Sequence, residues 1–371
     1  MYLRKLRLRN FRNYVDQVFV FSPHVNVFVG ENAQGKTNLL EAICLLSTGR
    51  SFRTSSLEEL VQKGSEGFFI EAILQTASCQ EFLRISYKKK VKLFTHNSSS
   101  YSSFKNLLGM MPSVIHLPSD IELISGAPAT RRKFLNIHLA QKTPLYAHYL
   151  FRYNRAMKQR NALLKSRAKR SSSDIWSDKD APIWEGEMAR SGAYLTWMRQ
   201  ELLQRLAPLF EENIAYFSSQ KETARCLFSP SIPPQDDERA LEKQGLYLLQ
   251  KNRVKETYLG SALFGAHRDD FYFKIDALPS KPFASEGQKR SIAASIRFAE
   301  WEELSQSFSD AAIFCVDDFG LGLDSVRKRL FQEKTCHLGQ VFLTAPEEPS
   351  SLETGKERLF FIQKGALIKV V

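Results

Sequence analysis

Cysteine is scarce in this 371-residue chain, and no two cysteines form a C-x-x-C pair. The five are Cys44, Cys79, Cys226, Cys315 and Cys336. Such spacing suggests neither a disulfide framework nor a zinc site. Long apolar runs are also missing, and the N-terminal MYLRKLRLRNF alternates charged with apolar residues instead of forming a signal-peptide core. We therefore expect a reduced, soluble, cytoplasmic protein with no membrane partner.

Acidic residues are outnumbered, with 40 Asp and Glu against 52 Lys and Arg. The resulting net charge of +12 favours a polyanionic partner, although charge alone does not separate nucleic acid from a membrane surface. Hydrophobic residues make up 43% of the chain, as in an ordinary globular protein. A chain of this length can form a large core and more than one domain.

The stretch from Val25 to Ile43 reads as a strand, a glycine loop and a helix. The β-branched and aromatic residues at 25–29 are typical of a strand buried in a sheet. Residues 30–37 then match G-x-x-x-x-G-K-[ST]. The predicted phosphate-binding residues are Gly30, Glu31, Asn32, Ala33, Gln34, Gly35, Lys36 and Thr37.

The residue types in this phosphate loop suit a nucleoside triphosphate. Gly30 and Gly35 let the main chain approach a phosphate closely, and the helix N-terminus adds N–H donors and partial positive charge. Lys36 can reach the β- and γ-phosphates and so contribute to catalysis, while Thr37 offers a hydroxyl to Mg²⁺. We therefore predict a site for ATP and Mg²⁺.

An acidic element lies near the C-terminus. Ile313 to Val316 is an apolar strand followed directly by Asp317 and Asp318, which is the form of a Walker B element. Asp317 would anchor the Mg²⁺ shell, and Asp318 could polarise an attacking water. Many strands end in acidic turns, so this element is informative only together with the phosphate loop. Asp318 is shorter than the glutamate common at this position in related motor ATPases, and we therefore expect slow hydrolysis.

Ser285 to Arg290 precedes a predicted helix and resembles the S-G-G-Q signature of ABC-type ATPases. In those proteins the serine, the glycine backbone and the helix N-terminus bind the γ-phosphate held by the opposite subunit. The alternative is a serine-capped helix. The position shortly before a Walker B strand favours the signature. The predicted nucleotide contacts here are Ser285, Gly287 and Gln288.

The middle of the chain is helical and strongly basic. Arginines and lysines accompany an apolar stripe at three- and four-residue steps from Ala129 to Arg170, and further helices are expected at 183–217 and 238–255. The basic face could bind DNA phosphates or could simply be solvated, and both interpretations stay open.

The phosphate loop and the Walker B element stand almost a whole chain apart, whereas a transporter cassette places them within one modest domain. This spacing is typical of SMC-like heads. We therefore predict an α/β fold, a P-loop ABC/SMC-like ATPase head with an inserted helical arm. The expected boundaries are 1–125 for the N-terminal half of the head, 126–258 for the arm and 259–371 for the C-terminal half.

Two further places have no settled role. Arg12 lies in a predicted turn from Asn10 to Tyr14 and could face the nucleotide, although a solvated arginine is an equal alternative. His267 and Arg268 lie in the run Gly-Ala-His-Arg-Asp-Asp. A histidine of this kind is more often a hydrogen-bonded structural residue than a catalytic base, and the same caution covers the arginine.

Taken in order, these motifs resemble the RecF family of bacterial recombination-repair ATPases, and the resemblance covers nearly the full chain. Individually some of them are weak, but their order is highly specific. The stretches that carry it are Leu8–Tyr14, Gly30–Ile43, Ser51–Arg53, Arg131–Leu135, Gln159–Lys165, Gly265–Asp270, Ser285–Arg290 and Asp317–Asp318.

The resemblance implies an ATP-dependent, DNA-binding head that dimerises with two ATP molecules between phosphate loop and signature. Such proteins act at gapped or stalled DNA with the RecO and RecR proteins to help RecA replace single-strand binding protein. They support replication restart and the SOS response. The resemblance therefore implies recombinational repair as the function, with an ATPase activity that is weak and stimulated by DNA.

Three departures from the family pattern concern hydrolysis more than binding. Ala266 stands where the family has Pro, and Glu286 stands where the broader signature has its first Gly. Phe319 to Asp324 is a degraded form of the S-E-L-D stretch that helps to align the dimer. We expect ATP binding to survive these changes and cooperative hydrolysis to be affected.

Two other function classes stay open. One is a soluble ABC-type ATPase that acts on a protein partner instead of DNA, in which case charge reversals on the arm would leave its activity intact. The other, more remote, is a small-molecule kinase. A kinase would not need Ser285 to Arg290, and a Ser285→Arg change would leave its ATP turnover unaffected.

Overall fold

The computed structural model describes residues 1–168, 180–308, 310–348 and 357–371. Strands dominate the first third of the chain, helices dominate the middle, and the last third contains both. The strands in chain order are β1 Tyr2–Phe11, β2 Tyr14–Val20, β3 Val25–Val29, β4 Gly67–Gln75, β5 Gln80–Lys88, β6 Val91–His96, β7 Ser99–Tyr101, β8 Ser113–His116, β9 Ala224–Ser229, β10 Asp270–Ile275, β11 Leu278–Pro279, β12 Ile313–Val316, β13 Val341–Ala345, β14 Arg358–Gln363 and β15 Ala366–Val370.

The helices bury their apolar faces against these strands or against each other. Short 3₁₀ turns lie in some of the connections between the strands or between strands and helices. The α-helices in chain order are α1 Lys36–Thr48, α2 Glu122–Ser125, α3 Pro128–Lys142, α4 Pro144–Ala168, α5 Asp180–Phe217, α6 Glu238–Lys251, α7 Arg253–Leu259, α8 Ser280–Phe283, α9 Glu286–Gln306 and α10 Ser325–Cys336.

The chain divides into two compact units. The first, which we call the head, comprises Met1–Ile121, Leu209–Thr223 and Ala284–Val371. The second, which we call the arm, comprises Glu122–Pro208 and Ala224–Phe283. An inserted helical unit between two halves of a head was expected, but the boundaries differ from those we predicted.

Two segments account for the difference. Residues 259–283, which we assigned to the head, belong to the arm because β10 pairs with β9 in an antiparallel sheet of order β11-β10-β9. Residues 209–223, which we assigned to the arm, belong to the head, where Phe217 packs against Phe298 and Phe331. The expected boundary at 125 lies four residues after Ile121, where the first head segment ends.

The head contains two six-stranded sheets. One has the order β2-β1-β4-β5-β6-β7 and is antiparallel throughout. The other has the order β15-β14-β3-β13-β12-β8, and its strands are parallel except for the β14–β15 hairpin. In a parallel sheet the loops that follow the strands meet at one edge, which is where ligands bind in such folds.

Helix α1 packs between the two sheets of the head. Its Leu39, Leu40 and Ile43 are fully buried in one apolar cluster with residues of both sheets, such as Leu6 and Phe28. The opposite face of the parallel sheet is covered by a second cluster that includes residues of α9 and α10. Burial on both faces explains why β3 and β13 are buried at every position.

The basic middle stretch forms two helices, because α3 ends at Lys142 with Thr143 as its C-cap, and Pro144 then begins α4. Several of its arginines are inside the arm. Arg160 is 1% exposed and pairs with Glu185 and Glu256, and Arg131 donates two hydrogen bonds to Asp270. The last two basic residues of the predicted stripe, 169 and 170, lie outside the described residues.

The serine-rich stretch at 96–103 contains a strand that its sequence does not suggest. Ser99–Tyr101 forms β7, which pairs with β6 through a two-residue turn. Asn97 occupies this turn with a φ of 50°, a conformation that asparagine tolerates well. Within the described parts of the chain, no helix is both long and apolar enough to cross a membrane.

Candidate functional site

The phosphate loop connects the end of β3 to the start of α1. Ala33 and Gly35 have positive φ values of 65° and 118°, so the backbone turns sharply before the helix. Gly35 is the N-cap of α1 and offers no side-chain acceptor to the first N–H groups of the helix. Those groups are therefore suited to an anion, as expected for a phosphate site.

Lys36 extends back over this loop. Its Nζ donates hydrogen bonds to the carbonyl oxygens of Gly30, at 2.6 Å, and Glu31, at 2.8 Å. The side chain is buried, and burial lowers the pKa of Lys36 while the negative charges of Asp318 and Asp317 oppose that shift. The ammonium group is thus held against the loop carbonyls, and the negative charges of the two carboxylates favour its protonated form.

The side chains of Thr37 and Asp317 meet, although 280 residues separate them. Thr37 Oγ1 donates to Asp317 Oδ1 at 2.9 Å, and Thr344 Oγ1 donates to the same oxygen at 2.7 Å. Burial raises the pKa of Asp317, whereas the two hydroxyl hydrogen bonds lower it. A hydroxyl and a carboxylate oxygen are the kind of ligands that Mg²⁺ takes from a protein together with phosphate oxygens. The predicted pair therefore fits this ion.

The sheet order explains how Thr344 reaches Asp317. β13 lies between β3 and β12, so Thr344 sits between the strand that leads into the phosphate loop and the strand that leads into the acidic pair. Our sequence reasoning did not identify Thr344. The sequence contained a signal for Thr344, because this hydroxyl residue lies near the carboxyl end of a short apolar strand.

Asp318 follows in a left-handed conformation, with a φ of 49°. Its backbone N–H donates to Thr344 Oγ1 at 2.8 Å. Asp317 and Asp318 line one cleft of the head together with His116 and Arg290. The hydroxyl of Thr344 thus connects the two acidic residues, because it accepts from the backbone N–H of Asp318 and donates to the side chain of Asp317.

The predicted signature lies at the start of α9. Ser285 Oγ accepts from the N–H of Gln288 at 3.2 Å, and the N–H of Ser285 donates to Gln288 Oε1 at 2.9 Å, which is a capping box. The alternative of a serine-capped helix is therefore confirmed as a description of the local geometry. Ser285 is also exposed, as contact with a second subunit would need. Nucleotide contact by Ser285, Gly287 and Gln288 stays a prediction.

Arg12 occupies the turn between β1 and β2. Its guanidinium donates twice to the carboxylate of Glu41, both at 2.8 Å, and once to the carbonyl of Glu59 at 2.9 Å. Glu41 is fully buried in α1 and also accepts from Ser51 Oγ. The structure therefore places Arg12 against α1 beside the phosphate loop, and nucleotide contact by this side chain stays a prediction.

The run from Gly265 to Asp270 is a hydrogen-bonded centre of the arm. His267 Nδ1 lies 2.6 Å from the hydroxyl of Tyr153, and its Nε2 lies 3.2 Å from the carbonyl of Ala262. Burial lowers the pKa of His267 to about 4, so the ring is neutral at pH 7. Arg268 donates to the same carbonyl at 3.3 Å. Both residues have the structural role that we favoured for the histidine.

Comparison with known proteins identifies the family. The sequence model of the RecF/RecN/SMC N-terminal domain matches residues 2–363. The chain belongs to the RecF family. It is 39% identical over 352 residues to the DNA replication and repair protein RecF of Protochlamydia amoebophila, covering 94% of each chain. It is 36% identical to the RecF protein of Chlamydia caviae, covering 99% of this chain and 98% of the relative.

Solved structures agree with this family and with the predicted fold class. The structure described as the recombination mediator protein RecF-ATP in the RecFOR pathway matches with a TM-score of 0.90 and 30% identity, covering 100% of this chain and 98% of that one. An Smc head domain from Pyrococcus furiosus matches with a TM-score of 0.53 at 16% identity, which supports the fold alone. The chain therefore has the ABC/SMC-type ATPase head fold that its motifs predicted.

Proposed function

We propose that this protein is an ATP-dependent DNA-binding protein of recombinational repair and replication. It would act at single-strand gaps or stalled forks, together with RecR and RecO, to help load the recombinase RecA and to support the SOS response. ATP would drive homodimerisation, and hydrolysis would be slow. The family membership and the names of the relatives support the repair role.

One observation carries the nucleotide part of the proposal. The hydroxyl of the phosphate-loop Thr37 lies 2.9 Å from the carboxylate of Asp317, at the carboxyl edge of one parallel sheet. Two motifs that are far apart in sequence therefore form a single site whose donor set fits Mg²⁺ and phosphate. Bound ATP–Mg²⁺ would supply the γ-phosphoryl group and the charge neutralisation for its transfer to water.

The chain's own residues then have separable roles. The N–H groups at the start of α1 and the ammonium of Lys36 would bind the phosphates, and Thr37 and Asp317 would hold the metal. Asp318 would orient the attacking water as general base. Ser285, Gly287 and Gln288 would bind the γ-phosphate from the second subunit.

For DNA, the net charge of +12 favours a phosphate-backbone contact without strong sequence preference. Exposed basic residues of α4, such as Arg155, Lys158 and Lys165, are the arm candidates. Arg152, Arg160 and Arg131, by contrast, are held in ion pairs with carboxylates. Because these ion pairs neutralise arginines that could otherwise bind DNA phosphates, they favour the second candidate function, an ABC-type ATPase that acts on a protein partner instead of DNA.

The deciding experiment is DNA binding by fluorescence anisotropy, with and without ATP–Mg²⁺, at two salt concentrations. Wild type and Lys36→Arg are compared, because the variant keeps the charge but not the reach and geometry of the lysine. We expect ATP to tighten DNA binding, the variant to lose that gain, and added salt to weaken binding. DNA binding that is absent or indifferent to ATP would support the protein-partner alternative.

A further inference from the structure

Two hairpin turns from opposite ends of the chain contact the phosphate loop. One is the Arg12–Asn13 turn between β1 and β2, and the other is the Lys364–Gly365 turn between β14 and β15. Both reach the same loop residue, Gln34. We call these two turns the turn clamp.

Gln34 accepts hydrogen bonds from both turns. Its backbone carbonyl accepts from the N–H of Gly365 at 2.8 Å and from Asn13 Nδ2 at 3.0 Å. Its side-chain Oε1 accepts from the N–H of Lys364 at 2.6 Å. The next carbonyl in the loop, that of Gly35, accepts from the hydroxyl of Tyr14 at 2.9 Å. Two successive loop carbonyls are therefore fixed by donors from outside the loop.

The backbones approach so closely that glycine is needed on both sides. Gly365 has a φ of 75°, and a Cβ there would collide with the carbonyl oxygen of Asn13. A Cβ at Gly30 would collide with the carbonyl oxygen of Ile362, on the strand that enters the hairpin. A Cβ at Gly35 would lie 2.7 Å from Asn13 Nδ2. Gly35 therefore allows the clamp itself to approach the loop, and Gly30 allows the approach of the strand that leads into the clamp.

These hydrogen bonds determine where the loop N–H groups point. A trans peptide is planar, with its C=O and N–H directed oppositely. Holding the carbonyls of Gln34 and Gly35 toward the turns therefore directs the N–H groups of Gly35 and Lys36 to the other side. Those are the donors that a phosphate requires in this type of loop.

We propose that the turn clamp pre-organises the phosphate loop, and that Gln34 and Gly365 are positioning residues for ATP affinity. The inference rests on the proposed ATP binding but not on DNA binding. Because a site that is already ordered loses less entropy on binding, loosening the clamp weakens affinity. Linkage is reciprocal, so bound nucleotide stabilises the C-terminal turn.

The test measures binding of a fluorescent ATP analogue and, in parallel, hydrogen exchange of the full chain with and without ATP–Mg²⁺. Gln34→Met keeps the side-chain length but removes the acceptor, and Gly365→Ala introduces the colliding Cβ. Gly64→Ala is the matched control, because Gly64 has a φ of 89° but nothing within 4 Å of its Cβ position. Thermal midpoints without nucleotide report separately on folding.

We expect Gln34→Met to weaken ATP binding about threefold to tenfold, the range for one net hydrogen bond. Gly64→Ala should bind as wild type does, and the effects of Gln34→Met and Gly365→Ala should be less than additive, since both act through one contact. ATP should slow exchange of the Lys364 and Gly365 amides in wild type. These three results together would establish the clamp.

Three outcomes would overturn the clamp, and they differ in what else they overturn. If wild type binds ATP, while Gln34→Met binds it equally well and the Lys364 and Gly365 amides exchange as before, the clamp alone is refuted. If wild type binds no ATP, the proposed nucleotide function and the clamp fail together. A fall in thermal midpoint with unchanged affinity would mark the turns as purely structural and refute the proposal as well.

Discussion

Among single residues, Thr344 has a position that no motif describes. Its hydroxyl donates to Asp317 and accepts from the N–H of Asp318. We predict that Thr344→Val lowers ATP turnover about tenfold or more, because it removes a hydrogen bond to a charged group inside the site. Thr344→Ser keeps the hydroxyl and should restore most of the rate. Steady-state hydrolysis assays on the two variants would measure this.

The kinetics of Thr344→Val would also show whether Thr344 positions the acidic pair or contributes to ATP binding. Since the phosphate loop is unchanged in Thr344→Val, the loss should fall mainly on kcat, with a smaller change in KM for ATP. A Thr344→Val variant with wild-type kcat would show that the hydroxyl has no part in holding the acidic pair.

The lowered pKa of His267 predicts how the stability of the arm depends on pH. Its pKa in the folded arm is lowered to about 4, whereas an unfolded histidine titrates near 6.5. Between those values the unfolded chain binds more protons, so this residue destabilises the fold as pH decreases from 6.5 through 4. At pH 5 this effect lowers the free energy of unfolding by about 2 kcal/mol relative to a side chain that does not titrate.

The variant that tests this is His267→Gln, with urea denaturation curves at pH 7 and pH 5. Wild type should lose more stability than the variant over that interval, because carboxylates that titrate elsewhere affect both proteins equally. Equal losses in the two proteins would mean that the ring is accessible to protons in the folded arm.

At the level of elements, α4 carries two kinds of basic residue that its sequence pattern could not separate. Lys158 is exposed, while Arg160 is buried and pairs with Glu185 and Glu256. We predict that Arg160→Gln destabilises the arm by about 3–5 kcal/mol, since it leaves the buried Glu256 without its paired cation, whereas Glu185 keeps Arg253. Lys158→Gln should leave stability unchanged and weaken DNA binding.

The two α4 variants control for each other, because each removes one positive charge from the same helix. Thermal unfolding and DNA anisotropy across a salt series would be measured for both. Lys158→Gln should lose one phosphate contact. The slope of the logarithm of the DNA-binding constant against the logarithm of salt concentration should then become shallower by about one. If Lys158→Gln binds DNA with the affinity and salt slope of wild type, this face of α4 is simply solvated.

Local patterns predicted the elements of the head well. The strands around the phosphate loop and the acidic pair have dense β-branched and aromatic runs, and they appear in the structure where the pattern put them. The break at Pro144 was missed although proline is a strong helix-breaking signal, because the basic and apolar pattern continues on both sides of it. The strand at Ser99–Tyr101 was missed because a serine-rich hairpin gives a weak local signal. Burial of Arg160 could not be predicted, since its partner carboxylates come from α5 and α7.

For the whole molecule, the motifs identified the site but not the connections that shape it. That Thr37 meets Asp317 followed from recognising two motifs of one ATPase class. That Gln34 meets Lys364 and Gly365 did not, because the contact depends on the parallel pairing of β14 with β3. The paired residues of these strands, such as Phe28 and Phe360, are 332 positions apart in the chain. Non-local strand pairing has no local signal, which also explains why the arm boundary near 259 was misplaced.

Assembly of two copies of the chain depends, in the proposed function, on Ser285 at the start of α9. If ATP joins two heads through the signature, Ser285→Arg should abolish ATP-dependent dimerisation, because a long cation would replace the small exposed N-cap of α9. Ser285→Ala loses the same cap, at a cost of about 1 kcal/mol, and the hydroxyl proposed to bind the γ-phosphate, but it adds no bulk, so it should weaken dimerisation without abolishing it. Light scattering with and without ATP–Mg²⁺ over a range of protein concentrations would show the mass double for wild type, double only at higher concentration for Ser285→Ala, and remain that of one chain for Ser285→Arg. Equal dimerisation of all three proteins would place the interface elsewhere and leave Ser285 with only its capping role.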